Sequence, residues 1–372
     1  MVRLRSTGVL AWAATVPFAL IWALAACAPQ AMMPGAGTEA PRLEANEIVA
    51  PDGARLPLRA WLPEGEPRAV ILGLHGMNDY SNAFDEPGQY WRARGIATYA
   101  YDQRGFGGTV SRGFWPGEAA LIADLGAAVA LLRARHPGKA LYLVGESMGG
   151  GVGLAALGGA SPPAIDGAIL VAPAIWGRAS MGLPERVALW LAARIAPSMI
   201  LTGRGLKIVP SDNEEMLRRL ARDPLVIKGA RVDAIWGLVN LMDAALESAA
   251  RLKTPALVLY GERDEIIPRE ATRLLLERLP PDAPLRVAVY PAGYHMLTRD
   301  LQANVVLDDI AAWIARRGAG DALPSGVALP SGAALPSGAA LPSGAALPSG
   351  ADRRGRDALA DPETASPPRE RS

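Results

Sequence analysis

The sequence predicts an α/β fold in which a mostly parallel β-sheet is flanked by helices. Between residues 43 and 318, short apolar runs alternate with longer segments of helical character. Such runs suit strands that are covered on both faces, and strand–helix alternation is typical of parallel sheets. Half of the 372 residues are hydrophobic and 20% are charged, which is enough apolar material for one large core.

The strands are predicted from these apolar runs and their boundaries. Residues 43–50 and 55–62 flank Pro51-Asp52-Gly53, a turn signal, and are expected to form a hairpin. The further predicted strands are 69–74, 97–101, 140–144, 168–171, 256–260 and 287–290. Helices are expected between them, for example over 119–135 and 270–279.

One interval between strands is too long for a plain crossover connection. Residues 175–252 have mostly helical character and contain two apolar stripes, one around Trp190 and one around Trp236. We therefore expect a helical cap inserted before the strand at 256–260. A cap rich in methionine and tryptophan suits an acyl chain, although most of these side chains are expected to pack the cap onto the core.

The chain begins with a predicted lipoprotein signal peptide, residues 1–26. Arg3 and Arg5 precede an apolar run that ends in Leu24-Ala25-Ala26-Cys27. A basic start followed by an apolar run is the pattern of a secretory signal, and its end resembles a bacterial lipobox. The alternative is an uncleaved anchor helix.

Cys27 is the single cysteine of the chain, and we expect it to be lipidated. The protein is then exported and held at a bacterial membrane through this anchor. Ala28 rather than aspartate follows the cysteine, which favours the periplasmic face of the outer membrane if the host is Gram-negative. Residues 27–42 are predicted to be the lipidated cysteine and a flexible tether, because they are small, rich in proline and glycine, and aperiodic.

The C-terminal residues 319–372 are predicted to be a disordered, low-complexity tail. From Leu323 onward the hexad Leu-Pro-Ser-Gly-Ala-Ala recurs. Proline and glycine in every hexad exclude a helix or a central strand, and a unit so poor in bulky side chains buries no core. We expect a neutral spacer.

Charge and cysteine content exclude several classes of function. The chain has 38 basic and 37 acidic residues, which argues against nucleic acid as the main partner. One cysteine excludes an intramolecular disulfide and a thiolate zinc cluster. Histidine chemistry must use His75, His136 or His295.

The pattern Gly145-x-Ser147-x-Gly149 follows a predicted strand and precedes a predicted helix of small residues. This strand–turn–helix context is that of a nucleophile elbow, which exposes a serine hydroxyl at the top of the sheet. The free N–H groups at the helix N-terminus favour negative charge there. Ser147 is therefore the candidate nucleophile.

A nucleophilic serine needs a general base and an acid that orients it, and elbow enzymes place them in the order Ser, acid, His. His295 is the one histidine downstream of Ser147. Asp264 follows the strand at 256–260 and is the preferred acid, with Glu262 and Glu265 as rivals in the same loop. The alternative roles are a helix N-cap for the aspartate and a surface position for the histidine.

The oxyanion hole is expected to use two backbone N–H groups. One belongs to Met148, which follows the nucleophile, and the other to Met77, which follows an early strand. His75 is expected to shape the Met77 loop. His136 is expected to be a favourable charge near a helix C-terminus.

Several motifs together carry a resemblance to a known family. They are His75-Gly76, Asp102-Gln103-Arg104-Gly105-Phe106-Gly107, Gly145-Glu146-Ser147-Met148-Gly149-Gly150, Gly261-Glu262-Arg263-Asp264 and Ala292-Gly293-Tyr294-His295. The chain resembles, over about residues 43–317, the monoacylglycerol lipase/lysophospholipase branch of the α/β-hydrolases, also called serine aminopeptidase S33-like.

The resemblance implies an α/β-hydrolase fold and a triad of Ser147, Asp264 and His295. It also implies oxyanion donors at Met77 and Met148, and no metal or cofactor. The elbow departs from the family at position 146, where family members often carry histidine and this chain has glutamate.

The predicted function is hydrolysis of carboxylic esters of amphiphilic lipids, such as monoacylglycerols or lysophospholipids, through an acyl-enzyme on Ser147. Two alternatives remain: a peptidase of the proline-iminopeptidase type, and a non-catalytic lipid-anchored binding module. A dinucleotide-binding oxidoreductase is disfavoured, because Gly151-x-Gly153-x-x-Ala156 falls inside a predicted helix rather than at the end of a strand.

Overall fold

A computed structural model of the chain describes residue 29 and the ranges 31–203, 205–280, 284–316 and 327–329. The strands in chain order are β1 (Arg42–Leu43), β2 (Glu47–Val49), β3 (Arg55–Trp61), β4 (Ala69–Leu74), β5 (Ile96–Tyr101), β6 (Ala140–Glu146), β7 (Gly167–Val171), β8 (Ile200–Leu201), β9 (Ala230–Arg231), β10 (Ala256–Gly261), β11 (Leu285–Tyr290) and β12 (Val327–Leu329). The helices are α1 (Asp85–Arg92), α2 (Glu118–Arg135), α3 (Met148–Leu157), α4 (Leu183–Ile195), α5 (Glu214–Arg222), α6 (Val232–Ala249), α7 (Arg269–Arg278) and α8 (Ala303–Ala315).

Most strands join one central sheet, in the order β1-β2-β3-β5-β4-β6-β7-β10-β11-β12. The pairings from β5 through β11 are parallel, and the flanking pairs are antiparallel. The predicted α/β fold with a mostly parallel sheet is therefore confirmed. Parallel strands end at a common edge, so the loops after β4, β6, β10 and β11 meet there.

Helices cover both faces of this sheet. Neighbouring side chains of β4 alternate between the faces: Val70 and Leu72 belong to one apolar cluster, and Ile71 belongs to the other. The first cluster includes side chains of α2, α3 and α6, and the second includes those of α1 and α8. A strand covered in this way reads as a continuous apolar run, which is why the sequence located β4.

The interval predicted as a cap, 175–252, divides into two parts. The hairpin of β8 and β9 lies in the first part with α4 and α5. α6 instead packs against the core, where Leu241 and Ala245 are fully buried. The prediction was wrong for α6, which is the helix between the cap and β10. Its apolar stripe has the helical spacing that a cap helix and a core helix share.

The segment predicted as a flexible tether is partly attached to the domain. The N–H of Met32 donates to the carbonyl oxygen of Trp115 at 2.8 Å, and the N–H of Thr38 donates to Pro51 at 3.1 Å. Gly35 donates to the carboxylate of Asp52 at 3.1 Å. These bonds correct the tether prediction for this stretch.

The predicted signal peptide and Cys27 lie outside the described residues. Among the helices that the structure does describe, none has the length and apolar character needed to cross a membrane.

The predicted tail contributes one short strand. β12 pairs antiparallel with β11, with Val327 opposite Val289, which the prediction of disorder did not anticipate. Its three residues lie between Gly326 and Pro330, and a strand at the edge of a sheet tolerates such neighbours. The remaining hexads lie outside the described residues.

Candidate active site

Ser147 occupies a sharp turn between β6 and α3. Its backbone has φ 52° and ψ −115°, a strained conformation for a residue other than glycine. Three hydrogen bonds hold this backbone: the serine N–H donates to Val171 at 2.9 Å, and its carbonyl accepts from Gly151 at 3.0 Å and Ala174 at 2.8 Å. The side chain is half-buried, so its hydroxyl is reachable from the edge of the sheet.

The two glycines of the motif are required by close packing. A Cβ atom on Gly149 would lie 2.1 Å from the carbonyl oxygen of Leu74. A Cβ atom on Gly145 would lie 2.6 Å from the carbonyl oxygen of Gly149. Any other residue at these positions would push the helix away from the strand, so the pattern has a steric cause.

The structure brings Asp264 and His295 together in a hydrogen bond. The Nδ1 atom of the histidine lies 2.9 Å from the aspartate Oδ2, and both side chains are buried. The other carboxylate oxygen accepts the N–H groups of Ile266 at 2.8 Å and Ile267 at 2.9 Å. The aspartate is thus held from both sides and aimed at the imidazole.

The rival acids point elsewhere. Both Glu262 and Glu265 are exposed. Glu262 lies 3.7 Å from Arg269, and Glu265 accepts the N–H of Val209 at 2.8 Å. Of the three acids weighed from the sequence, the structure places Asp264 against the histidine.

The electrostatic environment raises the pKa of His295. Burial lowers the pKa of this imidazole, but the charge and hydrogen bond of Asp264 outweigh burial and raise it above its ordinary value. The charge of Glu146 raises it further, and Arg299 opposes this. With the Nδ1 proton donated to the aspartate, Nε2 is the nitrogen available to accept a proton.

The loop after β4 lies directly against Ser147. A Cβ atom on Gly76 would be 3.3 Å from the Cβ of Ser147. Within the described residues, the N–H groups of Met77 and Met148 have no hydrogen-bond acceptor. An oxyanion hole needs backbone donors without another acceptor, and both N–H groups meet that condition.

His75 fixes the peptide that carries one of these donors. Its Nδ1 lies 2.8 Å from the carbonyl oxygen of Gly76, and its Nε2 accepts the N–H of Gln103 at 2.9 Å. Burial lowers the pKa of His75, consistent with a neutral ring that donates once and accepts once. Since the Gly76 carbonyl and the Met77 N–H share one peptide plane, His75 sets the direction in which that N–H points.

His136 differs from its prediction. Its Nε2 lies 2.9 Å from the Tyr99 hydroxyl at the C-terminal end of α2. Burial lowers the pKa of His136, and the nearby charges of Arg135 and Lys139 lower it further. The expected positive charge is therefore disfavoured, because two cations already lie at that helix end.

The cap is tied to the loops around the triad. The N–H of Ile227 donates to the carbonyl of Asn78 at 2.9 Å, and the hydroxyl of Tyr80 donates to Asp223 at 2.7 Å. The N–H of Met296 donates to the carbonyl of Pro210 at 3.0 Å. These bonds join the cap to the loop that carries Met77 and to the loop that carries His295.

Two cavities differ in their relation to this site. A small cavity of about 10 Å³ opens beside Met77 and is lined by Phe106, Phe114 and Ile227. A larger cavity of about 540 Å³ lies between the N-terminal segment, α2 and α6, and its lining includes Trp236. Only the small cavity touches the predicted oxyanion loop.

The cap presents apolar side chains to solvent. On α4, Leu183 is 68% exposed, Val187 48% and Ile195 67%, and Ile200 in β8 is 63% exposed. Apolar side chains that cluster on a surface mark a site for an apolar partner or ligand.

Sequence reasoning missed a buried ion cluster that includes Glu146, the neighbour of Ser147. Arg299 lies between Asp79 and Glu146, and all three side chains are buried. In the sequence, Glu146 stands out only because family members often carry histidine at that position. The available signal was the glutamate itself, because a charge next to a buried elbow needs a buried partner.

Comparisons with known proteins identify the family of the chain. A family described as serine aminopeptidase, S33, matches residues 65–302. A monoacylglycerol lipase of Mycolicibacterium smegmatis is 28% identical over 265 residues, which is 70% of this chain and 93% of the relative. A monoglyceride lipase of Rattus norvegicus is 28% identical over 287 residues, which is 74% of this chain and 92% of the relative.

Solved structures share the fold. A soluble variant of the Saccharomyces cerevisiae monoglyceride lipase, bound to a substrate analog, superposes with a TM-score of 0.63 at 22% identity, covering 76% of this chain and 97% of that one. The Paleococcus ferrophilus monoacylglycerol lipase gives a TM-score of 0.59 at 22% identity, covering 70% of this chain and 99% of that one.

Proposed function

Since this chain belongs to the serine aminopeptidase S33 family of α/β-hydrolases, we propose that it cleaves carboxylic esters of amphiphilic lipids through an acyl-enzyme on Ser147. The family and its lipase relatives make it a carboxylic ester hydrolase. The proposal adds the substrate class, monoacylglycerols or lysophospholipid-like esters, and the residues that do the chemistry.

The observation that carries the proposal is the buried hydrogen bond between Asp264 and His295, in a chain that also holds Ser147 on a strained elbow. In the first half-reaction, Nε2 of His295 accepts the hydroxyl proton while Oγ of Ser147 attacks the ester carbonyl carbon. The N–H groups of Met77 and Met148 stabilise the oxyanion. The imidazolium then protonates the leaving alcohol, and the acyl group remains on the serine oxygen.

The second half-reaction repeats these steps with water. His295 accepts a proton from a water molecule, which attacks the acyl carbonyl carbon. Collapse of the second oxyanion releases the carboxylic acid, and the imidazolium returns the proton to Ser147. The cycle uses side chains and backbone N–H groups, with no role for a metal or a cofactor.

The cap supports an amphiphilic substrate. Its exposed apolar side chains on α4, such as Leu183 and Ile195, offer contact to an acyl chain that enters from a lipid phase. The curated relatives with 28% identity are named as lipases of monoacylglycerols. Both points favour a lipid ester over the proline-iminopeptidase alternative, which uses the same triad chemistry.

The proposed location is the periplasmic face of a bacterial outer membrane, through a lipid on Cys27. The lipobox-like end of the N-terminal apolar run supports it. Anchoring at a membrane would keep the active site close to lipid esters. Intact-mass measurement of the protein extracted from membranes tests it, since a Cys27→Ser variant must lose the lipid mass.

Labelling with a fluorophosphonate tests the proposed function directly. The full-length protein in detergent should take one label, and Ser147→Ala should take none. Chromogenic esters of rising chain length and an aminoacyl-proline amide then separate lipid esterase from peptidase. Preference for the amide would overturn the ester assignment, and absence of label in the folded wild type would favour a non-catalytic binding module.

A further inference from the structure

A buried arginine joins three segments of the site that lie far apart in the sequence. One guanidinium nitrogen of Arg299, Nη1, lies 2.8 Å from Asp79 Oδ2, and Nη2 lies 3.0 Å from Glu146 Oε1. The arginine side chain is only 7% exposed, and those of its partners are 9% and 3% exposed. We call these three residues the Arg299 clamp.

Each member of the clamp stands next to a proposed catalytic group. Asp79 is two residues after Met77, and Glu146 directly precedes Ser147. Arg299 is four residues after His295. One guanidinium therefore spans the oxyanion loop, the nucleophile elbow and the histidine loop.

Local bonds make each arm of the clamp stiff. The second carboxylate oxygen of Asp79 accepts the N–H of Tyr80 at 2.9 Å, and the Asp79 N–H donates to Gly76 at 3.3 Å. Glu146 ends β6 and is in register with Val171 of β7. The N–H of Arg299 donates to Met296 at 2.8 Å. Loss of the guanidinium should therefore displace the backbone next to Asp79, Glu146 and Arg299.

Stability alone does not explain a buried ion cluster, because apolar side chains of similar volume often stabilise a fold equally well. The cluster instead fixes the orientation of its members, because the planar guanidinium of Arg299 binds two carboxylates at fixed angles. Catalysis depends on such placement, since a shift of about 1 Å at a reacting group can cost on the order of 100-fold in rate.

We propose that Arg299 is a positioning residue for ester hydrolysis. By binding Asp79 and Glu146 at once, it fixes the positions of the Met77 N–H, Ser147 and His295 relative to one another. The proposal rests on the proposed function of this site. It goes beyond the triad, because it assigns a purpose to the glutamate of the elbow.

A second buried arginine provides a matched control. Arg104 lies between Asp52 and Asp124, at 2.6 and 2.8 Å, and its side chain is 10% exposed. Its partners belong to the turn before β3 and to α2, neither of which carries a proposed catalytic group. Loss of either arginine therefore removes a similar buried ion cluster.

The test compares Arg299→Met, Arg299→Lys and Arg104→Met in the full-length protein, with kcat, KM and thermal unfolding measured for each. We expect Arg299→Met to lower kcat about 100-fold with little change in KM. Arg299→Lys should fall between it and wild type, because an ammonium cannot bind two carboxylates as a fork. Arg104→Met should lose a similar amount of thermal stability and keep most of its kcat.

The pH profile adds a readout that a purely structural role would not move. The charged groups around the His295 imidazole are Asp264, Glu146 and Arg299. Glu146→Gln removes a charge that stabilises the imidazolium, so the acidic limb of kcat/KM should move to lower pH. Arg299→Met should move it to higher pH. If Arg299→Met does not fold, Glu146→Gln and Arg299→Lys carry the test.

The outcomes separate this proposal from the proposed function. If wild type hydrolyses esters but Arg299→Met keeps its kcat, or loses no more of it than Arg104→Met, the clamp is only structural and the proposal is overturned. An unmoved acidic limb in Glu146→Gln, with unchanged kcat, would overturn it as well. Failure of wild type to react at Ser147 would instead overturn the proposed function.

Discussion

Two regions of the site differ in the polarity and burial of their side chains. One is the cap, and the other, which we call the floor, consists of Asp79, Glu146, Asp264 and His295. The four floor residues are buried and hydrogen-bonded. Asp264 pairs with His295, and Arg299 binds both Asp79 and Glu146. In the cap, α4 leaves apolar side chains in solvent, with Leu183 68% exposed. A rigid polar floor suits a reaction that depends on geometry, and an exposed apolar cap suits a substrate that is recognised by its hydrophobic part.

This contrast predicts two kinds of variant. Changes in the floor should lower kcat for every ester, whatever its acyl chain. Changes in the cap should alter the dependence on chain length and leave short esters unaffected.

Removing the nucleophile should have the largest effect. Ser147→Ala should lower kcat by about 10⁴-fold or more for short and long esters alike, because covalent catalysis is lost. Thermal unfolding should stay close to that of wild type, since the hydroxyl is half-buried and the backbone bonds remain. Residual activity above one percent of wild type at either chain length would contradict the assignment.

Replacing the orienting acid should have nearly the same effect. Asp264→Asn keeps the shape of the side chain but no longer stabilises the imidazolium of His295, and kcat should fall about 10⁴-fold. Glu262→Gln is the matched control, because it removes a carboxylate from the same loop at an exposed position. Equal losses in the two variants would show that charge near the loop, rather than the hydrogen bond to His295, controls the rate.

The pH dependence should report the environment of the floor. The pKa of His295 is raised, so the imidazole is protonated, and unable to act as a base, up to a higher pH than an ordinary histidine. The acidic limb of kcat/KM should therefore lie above the usual range of a histidine, and esters of different chain length should share it. An acidic limb below that range would contradict the raised pKa of His295.

Substitutions in the cap should leave kcat nearly unchanged and should raise KM only for long-chain esters. Replacing Val187 and Ile195 of α4 with serine should raise KM for long-chain esters roughly threefold to tenfold and leave kcat for an acetate ester unchanged. Leu62→Ser is the control, since Leu62 is 42% exposed and directly follows β3, outside the cap sequence. If KM rises equally for acetate and long-chain esters, the cap does not select the acyl chain.

Local sequence signals predicted the central sheet and the pairing of Asp264 with His295. The run of β4 coincides with its predicted bounds, and the glycines around Ser147 are explained by contacts of 2.1 and 2.6 Å that no Cβ could avoid. Asp264 and His295 each follow a strand that the sequence located, so their meeting at one edge follows from parallel topology.

Long-range contacts could not be predicted in the same way. Arg299 is 220 residues from Asp79 and 153 from Glu146, and no local pattern joins them. The helix α6 was assigned to the cap because its apolar spacing does not say which surface it faces. The attachment of Met32 to Trp115 uses backbone atoms, which leave no side-chain signature.

Peptide mapping of the covalent adduct formed with a fluorophosphonate or a slowly hydrolysed ester tests most directly whether Ser147 is the nucleophile. We predict one adduct, on Ser147, that forms at a much lower rate in His295→Ala and is absent from Ser147→Ala. An adduct on another residue, or a folded wild-type protein that forms none, would contradict it.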